Sequence, residues 1–211
     1  MRYKTYKRRK SQAIKDKETY IKKDTGRILY ISDLHLFHDK MIELCNRPFN
    51  DAAEMNQAII DNWKTKVCSN DTVYILGDVG MYHAKEIADI MNALPGKKIL
   101  ITGNHDKHNL KNAEFRRAFS KIKPYDEIWD KNRKVVLFHY PIEEWDGYFR
   151  DFYHLFGHVH NKESQIQFHI QKFNVSADVI GFEPKTLDEL IEIKDKNKGI
   201  SILAEFGDRF W

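Results

Sequence analysis

Five short apolar runs in this chain each end in side chains that can bind a metal. The runs are Ile28-Leu29-Tyr30-Ile31, Val73-Tyr74-Ile75-Leu76, Ile99-Leu100-Ile101, Val135-Val136-Leu137-Phe138 and Leu155-Phe156. They lead into Asp33-Leu34-His35, Gly77-Asp78, Gly103-Asn104-His105-Asp106, His139-Tyr140-Pro141 and Gly157-His158-Val159-His160 respectively. Short, partly β-branched runs followed by glycine or a polar residue read as buried strands ending in turns. In open α/β folds, ligands bind beyond the carboxyl ends of the strands. Five such ends bearing Asp, Asn and His predict one metal site rich in oxygen and imidazole donors.

The rest of the chain sets the frame for that site. At 211 residues it is sized for one domain with a substantial core. The apolar content of 42% with 13% aromatics is that of a globular protein. No apolar stretch approaches the ~20 residues that cross a bilayer, and the basic amino terminus lacks the apolar core of a secretory signal. Cys45 and Cys68 form no CxxC and no disulfide framework, so they read as reduced thiols and the expected setting is cytoplasmic.

Charge is unevenly spread. Residues 1–27 hold eleven Lys or Arg against three Asp or Glu, a net of +8. The remaining 24 basic and 28 acidic residues net −4, giving the formal +4 of the whole chain. We expect residues 1–26 to be a basic arm and 27–211 the catalytic domain. Such an arm is either a solvated lead-in or a contact for a polyanion such as nucleic acid.

Apolar spacing predicts a helix from Asn50 or Asp51 to Val67 through Met55, Ile59, Ile60 and Trp63, and a second over 83–93 through Ile87, Ile90 and Met91. A third is expected over 110–121, and a last one behind the capping box Thr186-Leu187-Asp188-Glu189. Strands are expected at 127–130, 134–139, 153–157, 164–170 and 171–176, with the tail from Gly199 left unassigned. Helix–strand alternation giving way to closely spaced strands indicates an α/β protein with two sheets packed face to face.

The ordered blocks D-x-H, G-D, G-N-H-D, H and G-H-x-H resemble the calcineurin-like metallophosphoesterases over roughly residues 27–178. The resemblance implies a four-layer α/β/β/α sandwich of two mixed sheets flanked by helices. It implies hydrolysis of phosphate esters by a hydroxide bridging two metal ions. Carried over residue by residue, Asp33, His35, Asp78 and His160 would hold one ion, and Asp78, Asn104, His139 and His158 the other. The resemblance also casts His105 as the group protonating the leaving oxygen, with Asp106 orienting its ring. Such mixed donors suit Mn, Fe or Zn, with Ni also admitted, better than Ca or Mg.

Outside the blocks, His38 either reaches the site from the loop after the first strand or is a surface histidine. Arg47 either clamps a phosphate bidentately or is an exposed Arg before Pro48. Tyr140 and Trp145 either stack on a base or sugar or belong to the core and rim. His83, His108, His154 and His169 read as structural. The substrate class expected is phosphodiesters or small nucleotides. Two rival readings are a nuclease that uses the basic arm, and a scaffold that keeps the fold without catalysis; the full set of blocks speaks against the scaffold.

Overall fold

A computed structural model describes residues 26–162 and 171–195. The expected arm, the strand over 164–170, His169 and the tail from Gly199 lie outside the described residues. Two four-stranded sheets form the body of the chain. The first runs β1 (Ile28–Ile31), β2 (Thr72–Ile75), β3 (Lys97–Ile101) and β4 (Lys121–Lys123), every neighbour parallel. The second runs β5 (Tyr125–Asp130), β6 (Arg133–Phe138), β7 (Tyr153–Phe156) and β8 (Lys172–Asn174), with only the β5–β6 hairpin antiparallel. Two sheets with flanking helices match the expected sandwich; the described strands of the first sheet are parallel to one another, and an antiparallel bridge joins Tyr30 of β1 to Lys185. Parallel neighbours need crossovers, and helices supply them.

Between β1 and β2 lie α1 (Lys40–Cys45) and α2 (Ala52–Lys66). The carboxylate of Asp51 caps α2 by accepting from the Glu54 N–H at 2.8 Å. One face of α2 buries Met55, Ile59 and Trp63, spaced four apart, against the first sheet. The crossover α3 (Ala84–Ala93) buries Ile87 and Met91 in the same way. Of the third expected helix, over 110–121, only α5 (Ala113–Arg117) forms; the short α4 (Asp106–Asn109) precedes it and the unforeseen β4 follows. Asn112 separates the two helices, because its side chain accepts from the N–H groups of Glu114 and Phe115 and starts a new helix. The short α6 (Ala177–Ile180) follows β8, and residues 187–195 form α7 behind the expected capping box: Thr186 N donates to Glu189 at 2.8 Å, with the reverse bond at 3.3 Å.

The core between the layers is fed by both sheets, with Leu29, Ile31, Val73, Ile75, Leu100, Val135, Leu137 and Leu155 all essentially inaccessible. At their carboxyl ends the sheets are stitched together. Ser32 N donates to Val175 O and Ala177 N to Ser32 O, each at 2.8 Å. That seam gathers the loops after β1, β2, β3, β6, β7 and β8 into one place. No helix among the described residues is long and apolar enough to cross a membrane.

Candidate metal centre

The loop residues hold unusual backbone conformations. Asp33, His35, Asp78, His158 and His160 all have positive φ, between 50° and 71°. Their pairing in D-x-H and H-x-H therefore does not come from a continuing strand with both side chains on one face, as the two-residue spacing would give. The strands end first, and left-handed turns aim each side chain separately. Such conformations cost of order 1–3 kcal/mol each and cluster at functional sites. The loops also approach too closely for side chains. A Cβ on Gly157 would stand 1.9 Å from Ser32 Oγ, and one on Gly103 2.2 Å from Asp78 Oδ1.

Two groups of donors result, with Asp78 between them. Asp33, His35 and His160 place one ligand atom each within 4.8 Å of the others, and Asp78, His139 and His158 do the same. Asp78 Oδ2 is 3.7 Å from His35 Nε2 and 3.5 Å from His139 Nε2. Asn104 Oδ1 lies 3.0 Å from both His139 Nε2 and His158 Nδ1. All seven residues singled out as ligands are thus brought together.

Each donor is held by a partner on its far side. Asp33 Oδ2 accepts from Ser32 Oγ (2.7 Å), Ser176 Oγ (2.8 Å) and the His158 N–H (2.9 Å), which leaves Oδ1 aimed into the centre. His139 Nδ1 donates to Leu76 O at 2.7 Å, which turns Nε2 toward Asn104 and Asp78. His160 Nδ1 faces Asp178 Oδ2 at 2.7 Å. A histidine so braced presents one defined lone pair.

Asp33 Oδ1 and His35 Nε2 are buried with no hydrogen-bond partner among the described residues, although they lie 3.9 Å apart. Orphaned lone pairs in a buried setting are costly, and a cation between them removes that cost. Electrostatics point the same way. Burial raises the pKa of Asp78, but His139, His35 and the His105 N–H more than offset it and hold the carboxyl at about 2. Burial first, with His160, Arg47 and His38 adding to it against the pull of Asp78, pushes His35 well below the usual imidazole range and keeps it neutral. His139 goes the other way: despite burial, Asp78 and Asp33 raise it to about 9. An imidazole that retains a proton so firmly sits in a negative potential suited to a cation. The donor set fits divalent transition metals.

Two expectations are corrected here. Arg47 is not an exposed phosphate clamp. It is buried, and its guanidinium donates to both oxygens of Asp178 (2.7 and 3.1 Å), to Leu34 O (2.9 Å), to Asp33 O (2.8 Å) and to Met55 Sδ (3.1 Å). No N–H remains for a substrate. Asp106 does not orient the His105 ring. Its fully buried carboxylate accepts from the N–H groups of Asp78 (3.0 Å), Val79 (3.0 Å) and Gly103 (2.8 Å), which knots the β2 and β3 loops together.

His38 does reach the site, its Nδ1 3.2 Å from that of His35. His105 is half-buried at the rim, its ring centre 5.3 Å from His35 and 6.2 Å from His38. The residue missed is Asp178, which joins Arg47 to His160. A sequence signal existed: Asn174-Val175-Ser176-Ala177-Asp178 is a sixth apolar-to-polar strand end at the same edge. Cys45 also approaches His160 and Asp178. Because both oxygens of Asp178 are engaged and burial pushes the Cys45 thiol up to about 11, that trio is not set up for a cation.

Comparison with known proteins agrees with this geometry. The family model for calcineurin-like phosphoesterases matches residues 26–204. The protein MJ1445 of Methanocaldococcus jannaschii is 33% identical over 185 residues, covering 85% of this chain and 97% of its own. Gene 66 protein of Mycobacterium phage L5 is 35% identical over 80 residues, 36% of this chain and 38% of its own. Among solved structures, AQ665 from Aquifex aeolicus superposes with a TM-score of 0.63 at 27% identity, covering 80% of this chain and 99% of that one. With the family's blocks all in place at the seam of its two sheets, the chain belongs to the calcineurin-like phosphoesterases and is a metal-dependent phosphohydrolase.

Proposed function

We propose that the chain hydrolyses phosphodiesters or small nucleotides at a dinuclear metal centre. One observation carries this reading: Asp78, a member of one donor group, lies 3.7 Å from His35 of the other, and the buried Asp33 Oδ1 and His35 Nε2 have no hydrogen-bond partner among the described residues. Asp33, His35, Asp78 and His160 would hold one ion; Asp78, Asn104, His139 and His158 would hold the second. When bound, Mn, Fe or Zn in such a pair supplies a water of lowered pKa and neutralises phosphoryl charge.

The remaining work falls to side chains of this chain. Asp78 would serve both positions, since its Oδ2 faces His35 Nε2 at 3.7 Å and His139 Nε2 at 3.5 Å. Its Oδ1 also accepts from the His105 N–H at 2.9 Å, which fixes His105 relative to the centre. The His105 ring, at the rim, would hand a proton to the leaving oxygen. His38 accepts from or donates to His35 Nδ1 and so helps fix which nitrogen of His35 faces inward. His158 is exposed while Asn104 and His105 are half-buried, so the centre opens along one side. That opening supports a substrate with two ester substituents.

The test is a panel of phosphomonoesters, aryl phosphodiesters, cyclic nucleotides and short oligonucleotides. It is run on metal-stripped protein reconstituted with Mn, Zn, Fe or Ni. The proposal expects diester turnover that is absent without metal and saturates near two equivalents per chain. Turnover confined to monoesters, or undiminished without metal, would contradict it.

A further inference from the structure

Beside the centre lies a run of aromatic rings that the chemistry above does not use. The exposed imidazole of His158 contacts the Tyr140 ring at 4.6 Å between centroids, edge to face. Tyr140 contacts Phe138 at 5.4 Å, and Phe138 contacts Tyr125 at 6.2 Å. Tyr125 and Phe138 are register partners across β5 and β6, so their rings stand on the same face of the second sheet. Among the described strands β5 is at the edge of its sheet, and Tyr125 is 39% exposed. The run therefore leads from the metal-facing His158 to the sheet edge, over rings that are exposed or half-buried throughout.

Sheet packing accounts for only part of this. A cross-strand Tyr–Phe pair stabilises a hairpin by itself. Tyr140 lies beyond β6, and its hydroxyl has no hydrogen-bond partner among the described residues. Its ring lies against two of the imidazoles at the centre, His158 and His139 at 5.0 Å. Contiguous aromatic surface left in contact with water marks a binding surface. The charges beside it are balanced: Lys123 pairs with Asp126 at 2.7 Å, and Lys134 with Glu127 at 2.6 Å. Recognition here is by ring faces rather than by free cations.

We propose that Tyr140, Phe138 and Tyr125 form a stacking strip for the bases of a single-stranded nucleotide phosphodiester whose scissile phosphate lies at the metal centre. Every base offers a π-face, so the strip accepts any sequence. Tyr140 takes the base next to the scissile phosphate, and Tyr125 engages only a chain several nucleotides long. The proposal rests on the phosphoesterase reading for its chemistry, but base binding can be measured apart from turnover.

Full-length protein is titrated against fluorescein-labelled hexathymidylate in the presence of a chelator, with anisotropy as the readout. Tyr140→Leu is expected to weaken binding about tenfold, and Tyr140→Trp to restore it. The log–log salt slope should match that of wild type, since the substitution removes no cation that neutralises a phosphate. Tyr125→Ala should weaken the hexamer and spare the dinucleotide. With metal restored, thymidine 5′-(4-nitrophenyl) phosphate and methyl 4-nitrophenyl phosphate share a leaving group and differ only in the base-bearing side. The preference for the thymidine ester should fall about tenfold in Tyr140→Leu. Absent binding by wild type, or binding and preference unchanged in Tyr140→Leu, would overturn the strip. If Tyr140→Leu weakens binding while reconstituted wild type cleaves neither ester, the strip stands and the proposed phosphodiester specificity falls.

Discussion

At the scale of single residues, the centre depends on how each donor is braced from behind. His160 has the longest brace, through Asp178 to Arg47, whose fan of bonds also fixes the Asp33 and Leu34 carbonyls. Asp178→Asn removes the charge that holds the His160 Nδ1 proton and leaves Arg47 partly uncompensated. Metal affinity at one of the two positions should drop about 10- to 100-fold, with the other nearly unaffected, as read by calorimetric titration of stripped protein. Equal weakening of both would mean that Asp178 acts through general stability. His105 gives a separate test. If it protonates the leaving oxygen, His105→Asn should slow alkyl diesters far more than nitrophenyl diesters, whose leaving group departs unaided. Metal content should stay at the wild-type level. Equal losses on both esters would reduce His105 to a positioning role.

At the scale of elements, the five strand ends were legible in the sequence because each combined an apolar run with a chemically distinctive stop. What could not be read was the backbone between them. The spacing of Asp33 and His35 is compatible with a strand, and only the folded loop reveals the left-handed conformations at φ 56° and 50°. Asp106 shows the same limit. Adjacent to His105 in sequence, it was expected to serve that ring, yet it turns inward to three backbone N–H groups, two in the loop after β2 and one in its own loop. Arg47 likewise reads as exposed beside Pro48, although long-range partners bury it. Asp106→Asn should leave one N–H without an acceptor and lower stability by about 1–3 kcal/mol in denaturant unfolding. Bound metal should fall with it, because the Asp78 loop loses its anchor. Unchanged stability would show that the knot is dispensable.

At the scale of the whole molecule, two sheets meet at one seam, and everything chemical lies there. The helices α2 and α3 and the capped α7 were legible from periodicity and capping residues. The break at Asn112 and the three-residue β4 were not, since so short a strand carries no period. The basic segment before Gly26 lies outside the described residues, while Arg27, just after it, is held firmly by the domain. The Arg27 guanidinium bonds Asp71 Oδ2 and the Lys66 carbonyl, each at 2.6 Å. Deleting residues 1–23 should therefore preserve the fold and the turnover of a small aryl phosphodiester. Binding of single-stranded nucleic acid should weaken, and its salt slope should flatten by about 0.7 for each phosphate that the deleted cations had neutralised. If the truncated chain binds oligonucleotides as tightly at low and moderate salt, the segment is a solvated leader.

The central claim is that one carboxylate joins two metal positions. Among the described residues, the Asp78 carboxylate alone lies within 3.7 Å of histidine ring nitrogens from both groups. The most direct measurement is metal stoichiometry, by elemental analysis of reconstituted wild type and Asp78→Asn, alongside diester turnover. The account predicts about two equivalents per wild-type chain, and in the variant less metal with turnover lower by orders of magnitude. Two full equivalents retained by Asp78→Asn with activity intact would contradict it.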